Sequence, residues 1–221
     1  MKKGILYFHG FPGPASKVEP GTVFFTDKLQ ELCNESNHDL LAPHYPGISD
    51  GTEFSFIQAL EYAKDYLAQK LEAYDELTLM GRSFGGLSLL YALNSLESSQ
   101  NKVKSIVFVT PLVKMPPAKD AKLILVDTEA KAPGLLKKER TDFYLDEIQK
   151  LSESFDPFQI YHDKKLNPTP IHIGAKDDVI TPAKVIKLFA EHTNAKYLEI
   201  EGEHDLGDKE IIAQTLRDLL N

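Results

Sequence analysis

The chain of 221 residues has only one cysteine, and it has no tryptophan. A single thiol, Cys33, cannot form a disulfide within the chain, so an internally disulfide-bonded fold is excluded. Cys33 lies at helical spacing with Phe25, Leu29 and Leu32, and this spacing predicts a buried structural thiol. Low cysteine usage favours a cytoplasmic protein.

Long apolar runs are also missing. No segment approaches the roughly 18 apolar residues of a membrane span. Two lysines at the start resemble the opening of a signal peptide, but the apolar run that follows them, 4–8, is too short and ends at His9. We therefore expect no membrane span and a cytoplasmic location.

The chain has no excess of positive charge. It carries 25 lysines and arginines against 33 aspartates and glutamates, for a formal net charge of -8. Nucleic-acid binding needs clustered cations, and an anionic membrane surface needs a basic amphipathic segment. Neither partner is expected. The hydrophobic fraction of 42% and the length suit one sizeable globular domain spanning 1–221.

Predicted strands alternate with predicted helices along most of the chain. The strands are expected at 4–8, 39–43, 76–80, 104–110, 170–174 and 197–200, and the helices at 22–36, 54–74, from the Ser83 turn to about 97, from Thr181 onward, and at 211–220. For the helix after 180, the residue types place Thr181 at the N-cap and Pro182 at the first helical position. This alternation predicts an α/β fold, with a mostly parallel six-stranded sheet covered on both faces.

One region, 112–166, breaks the alternation. It opens with two prolines, Pro116 and Pro117, contains a possible strand at 123–126, and continues as a charged, helix-like stretch. We interpret it as an insertion into the domain.

The most informative motif is Gly81-Arg82-Ser83-Phe84-Gly85, between an apolar strand-like run and an apolar helix-like run. A serine hydroxyl is a poor nucleophile until a base takes its proton and a pair of donors receives the oxyanion. A sharp strand-to-helix turn exposes the serine to both, and the strained turn needs glycines. Ser83 is therefore the candidate nucleophile.

Of the seven histidines, His204 is the strongest candidate for the base. It follows the last predicted strand, at the carboxyl edge where open α/β sheets bind their ligands. His9 also follows a strand, but its neighbours suggest another role. His172 lies inside a predicted strand and is expected to be a core residue.

The loop after the preceding strand supplies the candidate acid that would orient His204. It contains two adjacent aspartates, Asp177 and Asp178, and either could serve. The chain order of serine, aspartate and histidine is the one described for α/β-hydrolases.

Two backbone N–H groups would form the oxyanion hole. Phe84 supplies one, because Ser83 opens a helix. The other should come from the loop after the first strand, where Pro12 has no N–H. Phe11 is therefore the second candidate by elimination.

Four stretches contain these candidates: His9-Gly10-Phe11-Pro12-Gly13, Gly81-Arg82-Ser83-Phe84-Gly85-Gly86, Gly174-Ala175-Lys176-Asp177 and Gly202-Glu203-His204. A fifth stretch, Tyr45-Pro46-Gly47-Ile48-Ser49, follows the second predicted strand. In this combination the chain resembles the α/β-hydrolase superfamily, over its whole length apart from 112–166. The resemblance implies that Asp177, three residues after the glycine, is the acid of the triad, and that 112–166 is a lid.

The chain departs from that family in two ways. The family sheet usually has two further strands before the His-Gly strand, so we expect the reduced six-stranded sheet of small bacterial esterases. Arg82 stands where the family often has His, Tyr or a small residue. A structural ion pair, for example with an acid of the lid, is one interpretation of Arg82, and contact with a substrate carboxylate or phosphate is another.

These observations predict a serine hydrolase that cleaves a small-molecule ester or thioester, with Ser83, Asp177 and His204 as triad and Phe11 and Phe84 as oxyanion donors. No cofactor is needed, and no residues have metal-ligand spacing. Aspartate-nucleophile enzymes of similar fold, the epoxide hydrolases and haloalkane dehalogenases, are disfavoured by Ser83. Alternatives are a peptidase, a carbon–carbon hydrolase, a lyase or a non-catalytic binding module on the same scaffold. Apolar residues Leu135, Leu136, Phe143 and Tyr144 indicate either an apolar acyl pocket or packing of the lid.

Overall fold

The computed structural model describes residues 1–11, 25–48, 50–96, 99–116, 118–131, 134, 136–164, 166–204 and 209–220. The elements in chain order are β1 (Lys3–Phe8), α1 (Phe25–Ser36), β2 (Asp39–Leu41), α2 (Phe56–Ala73), β3 (Glu76–Arg82), α3 (Phe84–Asn94), β4 (Val103–Val109), α4 (Ala118–Lys131), α5 (Thr141–Ser154), α6 (Pro157–Lys164), β5 (Ile171–Ala175), α7 (Ala183–His192), β6 (Lys196–Ile200) and α8 (Lys209–Leu220).

The six strands found among the described residues form one sheet in the order β2-β1-β3-β4-β5-β6, and every neighbouring pair is parallel. Parallel strands need crossover connections, and the helices provide them. Because the strands run in one direction, their carboxyl ends all meet at one edge of the sheet. The predicted fold class is confirmed, with a sheet that is parallel throughout.

Helices cover both faces of the sheet. Successive side chains of a strand point to opposite faces, and β1 shows this directly. Leu6 and Phe8 belong to the hydrophobic core that includes residues of α2 and α3. Ile5 and Tyr7 belong to a second core with residues of α1 and α8. Cys33 lies buried in this second core as a free thiol, as its helical spacing predicts.

The possible strand at 123–126 is wrong, because these residues lie inside α4. Ala121, Leu125 and Thr128 are buried at spacings of three and four, whereas Leu123 and Val126 are 71% and 64% exposed. A burial period of three to four residues is that of a helix. The short apolar run is therefore split between the two sides of α4.

The start of α7 differs from the expected one. Pro182, and not Thr181, is the N-cap of α7, and the first helical residue is Ala183. The described part of α1 begins at Phe25, and the expected start at Thr22 lies outside the described residues.

His172 is fully buried within β5, as expected of a core residue. Its ring stacks on Phe108 with the centroids 4.7 Å apart and meets the edge of Phe189 at 5.4 Å. Burial lowers the pKa of His172 from 6.5 to about 3. The native protein therefore holds this ring neutral at pH values at which the unfolded chain protonates it.

We predict that replacing His172 with Phe weakens the dependence of the free energy of unfolding on pH below about pH 6.5. Below pH 6.5 the unfolded chain binds a proton at His172 that the native protein does not bind until about pH 3. Wild-type stability is therefore lost across this window as the pH falls, at up to about 1.4 kcal/mol for each pH unit from this group. Urea unfolding at pH 7 and at pH 5 measures the difference.

The matched control is His192→Gln, because His192 is exposed at the end of α7. This control should keep the wild-type pH dependence. Equal pH dependence of the His172→Phe variant and the wild type would contradict the assignment of His172 as a buried neutral ring.

Candidate active site

Ser83 sits at the turn between β3 and α3 in a strained backbone conformation, with φ 52° and ψ -123°. The space behind this turn admits only glycine, since a Cβ on Gly85 would lie 1.9 Å from the carbonyl oxygen of Phe8. Ser83 is tied to the next strand, because its N–H donates to the carbonyl of Val109 at 3.1 Å and its carbonyl accepts from the N–H of Leu112 at 2.9 Å. The motif therefore forms a tight turn with the serine at its tip.

His204 joins the serine to a carboxylate. Its Nε2 lies 2.8 Å from Ser83 Oγ, and its Nδ1 lies 2.7 Å from Asp178 Oδ2. A carboxylate can only accept, so Nδ1 carries the hydrogen and donates it to Asp178. Nε2 is then left with a lone pair directed at the serine hydroxyl, which is the geometry a base needs.

The acid beside His204 is Asp178, which corrects the expected choice of Asp177. Asp177 is exposed in the turn after β5, where its N–H donates to the carbonyl of Gly202 at 2.9 Å. Asp178 is only 4% exposed. Its Oδ1 accepts hydrogen bonds at 2.8 Å from the backbone N–H groups of Ile180 and Thr181, and these two bonds turn the side chain inward.

Asp178 keeps its negative charge despite its burial. Burial alone raises the pKa of this carboxyl, but the hydrogen bonds and charge of His204, together with the hydrogen bonds from Thr181, outweigh it. The pKa of Asp178 therefore lies below its ordinary value. The Thr181 hydroxyl takes part at 2.7 Å from Oδ2.

Phe11 and Phe84, the two candidate oxyanion residues, both lie beside the serine. A Cβ on Gly10 would be 3.0 Å from Ser83 Cβ and 3.6 Å from Ser83 Oγ, so the chain leading into Phe11 passes directly along the serine. Phe84 is the first residue of α3, where backbone N–H groups have no partner within the helix. Their rings also meet, with centroids 6.1 Å apart.

A buried polar group holds the loop after β1 in place. The hydroxyl of Tyr45 lies 3.3 Å from the carbonyl oxygen of His9 and 3.0 Å from Ser88 Oγ. His9 Nδ1 donates to the carbonyl of Gly10 at 2.8 Å, and burial lowers the pKa of His9 to about 4. His9 is therefore a neutral residue that shapes the loop. Among the described residues, no hydrogen bond joins His9 to Ser83.

Arg82 supports the histidine loop. Its Nη2 donates to the backbone carbonyl of His204 at 3.1 Å. It also hydrogen-bonds the buried Tyr7, whose pKa rises to about 12 because burial outweighs the opposing influence of Arg82. These contacts give Arg82 a structural role, in which it holds the backbone of the His204 loop.

An aromatic cluster packs beside the serine. It consists of Phe11, Phe54, Phe56, Phe84 and Tyr144, whose neighbouring centroids are 4.6 to 6.3 Å apart. Tyr144 comes from α5 and meets the edge of Phe56 at 6.3 Å. The 112–166 region thus touches the surroundings of the site through Tyr144.

Of the three other apolar residues of the 112–166 region, named as a possible acyl pocket from the sequence, two are described and lie in different surroundings. Leu136 is buried, whereas Phe143 is 39% exposed and lies under the guanidinium of Arg140. Leu135 lies outside the described residues.

Glu147 is a buried residue that sequence reasoning did not single out. The residue is only 4% exposed. Its Oε1 accepts from Ser55 Oγ, and its Oε2 accepts from the Phe56 N–H at 2.9 Å. These donors belong to the N-terminus of α2, where a negative charge is favourable. A carboxylate on α5 therefore fixes the 112–166 region to the helix that carries Phe56.

Within the described part of the chain, no group of three or more His, Cys, Asp or Glu residues could hold a metal ion. In the same part, no helix combines the length and the apolar character that crossing a membrane requires.

Comparison with known proteins identifies a family. The model of the alpha/beta hydrolase fold family matches residues 4–155. No curated protein matches the sequence significantly.

Solved structures resemble the whole chain. One is an extracellular α/β-hydrolase from a Paenibacillus species, 16% identical, covering 99% of both chains with a TM-score of 0.64. Another is a thermophilic esterase from Thermogutta terrifontis, 15% identical, covering 100% of this chain and 89% of the other with a TM-score of 0.65. Est1E from Butyrivibrio proteoclasticus is 17% identical, covering 99% and 87% with a TM-score of 0.64. At such identities the likeness concerns the fold.

We predict that Glu147→Ala destabilises the protein by about 2 to 3 kcal/mol, because it leaves the Ser55 hydroxyl and the Phe56 N–H buried without this acceptor. Glu153→Ala is the control on the same helix, since Glu153 is exposed. Urea unfolding of both variants checks the difference. Equal midpoints for the two variants would show that the contact of Glu147 with α2 contributes nothing.

Proposed function

The chain belongs to the α/β-hydrolase family, and we propose that it is a serine hydrolase that cleaves a carboxylic ester or thioester through an acyl-enzyme. One observation carries this proposal: a hydrogen bond of 2.7 Å joins Asp178 to His204, and a second of 2.8 Å joins His204 to Ser83. Acyl transfer by serine needs this relay of acid, base and nucleophile.

In the first half of the proposed reaction, Ser83 Oγ attacks the carbonyl carbon of the substrate while His204 Nε2 takes the hydroxyl proton. The imidazolium that forms is stabilised by Asp178, which stays ionised. The negative charge moves onto the carbonyl oxygen, and the N–H groups of Phe11 and Phe84 receive it.

The tetrahedral intermediate then collapses, and the bond to the leaving oxygen or sulfur breaks. His204 gives its proton to this leaving group, which departs as an alcohol or thiol. In the second half, His204 takes a proton from water, and the hydroxide attacks the acyl-enzyme. Collapse of the second intermediate returns the proton to Ser83 Oγ and releases the acid. Side chains, two backbone N–H groups and water suffice for these steps, so the proposal needs no cofactor.

The 112–166 region is proposed to be the lid of this site. Tyr144 against Phe56 and Glu147 on the N-terminus of α2 support that role. The aromatic cluster beside Ser83 favours an apolar acyl group, because both proposed oxyanion residues contribute their rings to it. A cytoplasmic location stays a prediction from the composition.

We predict that the wild type hydrolyses p-nitrophenyl acetate and that Ser83→Ala abolishes this turnover. Asp178→Asn should lower kcat by about 10³-fold or more, because the orienting carboxylate is lost and the amide can impose the wrong ring tautomer. Asp177→Asn is the matched control one residue away and should stay within about twofold of the wild type. Initial rates under identical conditions, with a thioester assayed in parallel, provide the comparison.

Full activity in Ser83→Ala would refute the proposed function. A larger loss in Asp177→Asn than in Asp178→Asn would refute the assignment of the acid while leaving the hydrolase function intact.

A further inference from the structure

The hydroxyl of Thr181 lies where the carboxylate of Asp178 meets the ring of His204. Thr181 is 5% exposed. Its Oγ1 lies 2.7 Å from Asp178 Oδ2, 3.3 Å from His204 Nδ1 and 3.1 Å from the carbonyl oxygen of Thr110. Because Pro182 is the N-cap of α7, this hydroxyl does not serve as the helix cap that its sequence position suggests. It faces the proposed catalytic groups instead.

A threonine hydroxyl has a single hydrogen to donate, and two acceptors lie within reach of it. Asp178 Oδ2 is both the nearer acceptor and the charged one, and hydrogen bonds to charged groups are the stronger ones. Thr181 therefore donates to Asp178, so that Oδ2 accepts from Thr181 and His204 at the same time.

We propose that Thr181 is a positioning residue that acts through Asp178 to oppose protonation of His204. The inference rests on the proposed serine hydrolase function. The three atoms Oγ1, Oδ2 and Nδ1 form a triangle with sides of 2.7, 2.7 and 3.3 Å. The donated hydrogen lies along the side from Oγ1 to Oδ2, and it is therefore closer to Nδ1 than Oγ1 is.

The positive end of the hydroxyl dipole is thus the end nearer to the ring, and it disfavours the imidazolium. The same hydrogen bond withdraws part of the carboxylate charge that would stabilise that imidazolium. Both effects keep His204 available as a base at lower pH than Asp178 alone would.

Other charged groups near His204 do not change when Thr181 is replaced. Arg82, at the end of β3, donates to the His204 carbonyl. Asp177 lies in the loop that bonds to Gly202, and Glu203 is exposed next to the histidine. A shift in the pH dependence of a Thr181 variant therefore reports on the hydroxyl.

Thr181→Val removes the hydroxyl and keeps the shape of the side chain. We expect the acid limb of the pH profile of kcat/KM, measured with p-nitrophenyl acetate, to move to higher pH by about half a unit or more. Thr181→Ser restores the hydroxyl and should restore the wild-type profile. Thr78→Val is the control, because Thr78 is equally buried but lies within β3, and its profile should match the wild type.

An acid limb that stays in place, or that moves to lower pH, overturns the inference; movement to lower pH is the result expected if the hydroxyl donates to Thr110. If Thr181→Val does not fold, Thr181→Cys decides by the same criterion, because a thiol is close in shape but a much weaker donor.

Two readouts separate this inference from the proposed function. Labelling of Ser83 by a fluorophosphonate tests the function: a wild type that is not labelled refutes the function itself. A labelled wild type with an unmoved acid limb in Thr181→Val refutes only the role of Thr181. The titration midpoint of the His204 ring, followed by NMR without substrate, should shift in the same direction as the acid limb.

Discussion

The site depends on how closely the turn after β3 approaches the end of β1. A side chain at Gly85 would collide with the carbonyl of Phe8, so the two segments touch backbone to backbone. This contact holds Ser83 at a φ of 52° at the tip of the turn, and it brings the chain entering Phe11 alongside the serine. The proposed nucleophile and the proposed oxyanion donors are therefore positioned by one steric constraint, with the parallel sheet as its rigid support.

Hydrogen bonds to Asp178 set the second half of the geometry. Four donors surround its carboxylate: the N–H groups of Ile180 and Thr181, the hydroxyl of Thr181 and the ring of His204. A buried carboxylate is costly unless it is satisfied in this way. The donors offset the cost of burial, and the charge that remains orients His204 toward Ser83. Arg82 adds a contact to the backbone of the histidine loop.

The sequence predicted those features that follow from strand order and from backbone chemistry. The alternation of strands and helices was predictable from the sequence. So was the proximity of Ser83 and His204, because parallel strands bring their carboxyl ends to one edge. The choice between Asp177 and Asp178 was not predictable from the sequence, because one residue of difference in a turn reverses which side chain points inward. The decisive contacts, two N–H groups at 180 and 181, exist only once the turn has formed.

Other features depend on tertiary contacts that carry no local signal. Glu147 looks like one more charge on an amphipathic helix, and its burial is explained only by the N-terminus of α2, about 90 residues away in sequence. Leu123 and Val126 suggested a strand because they belong to a short apolar run, whereas in α4 they are exposed. Thr181 has the residue type of a helix cap, yet its hydroxyl is taken by Asp178.

The most direct test of the central claim is a fluorophosphonate probe followed by peptide mass spectrometry. If Ser83 is an activated nucleophile, the wild type is labelled at this serine alone, and Ser83→Ala is not labelled. A wild type that remains unlabelled at Ser83 under conditions in which it is folded would contradict the account.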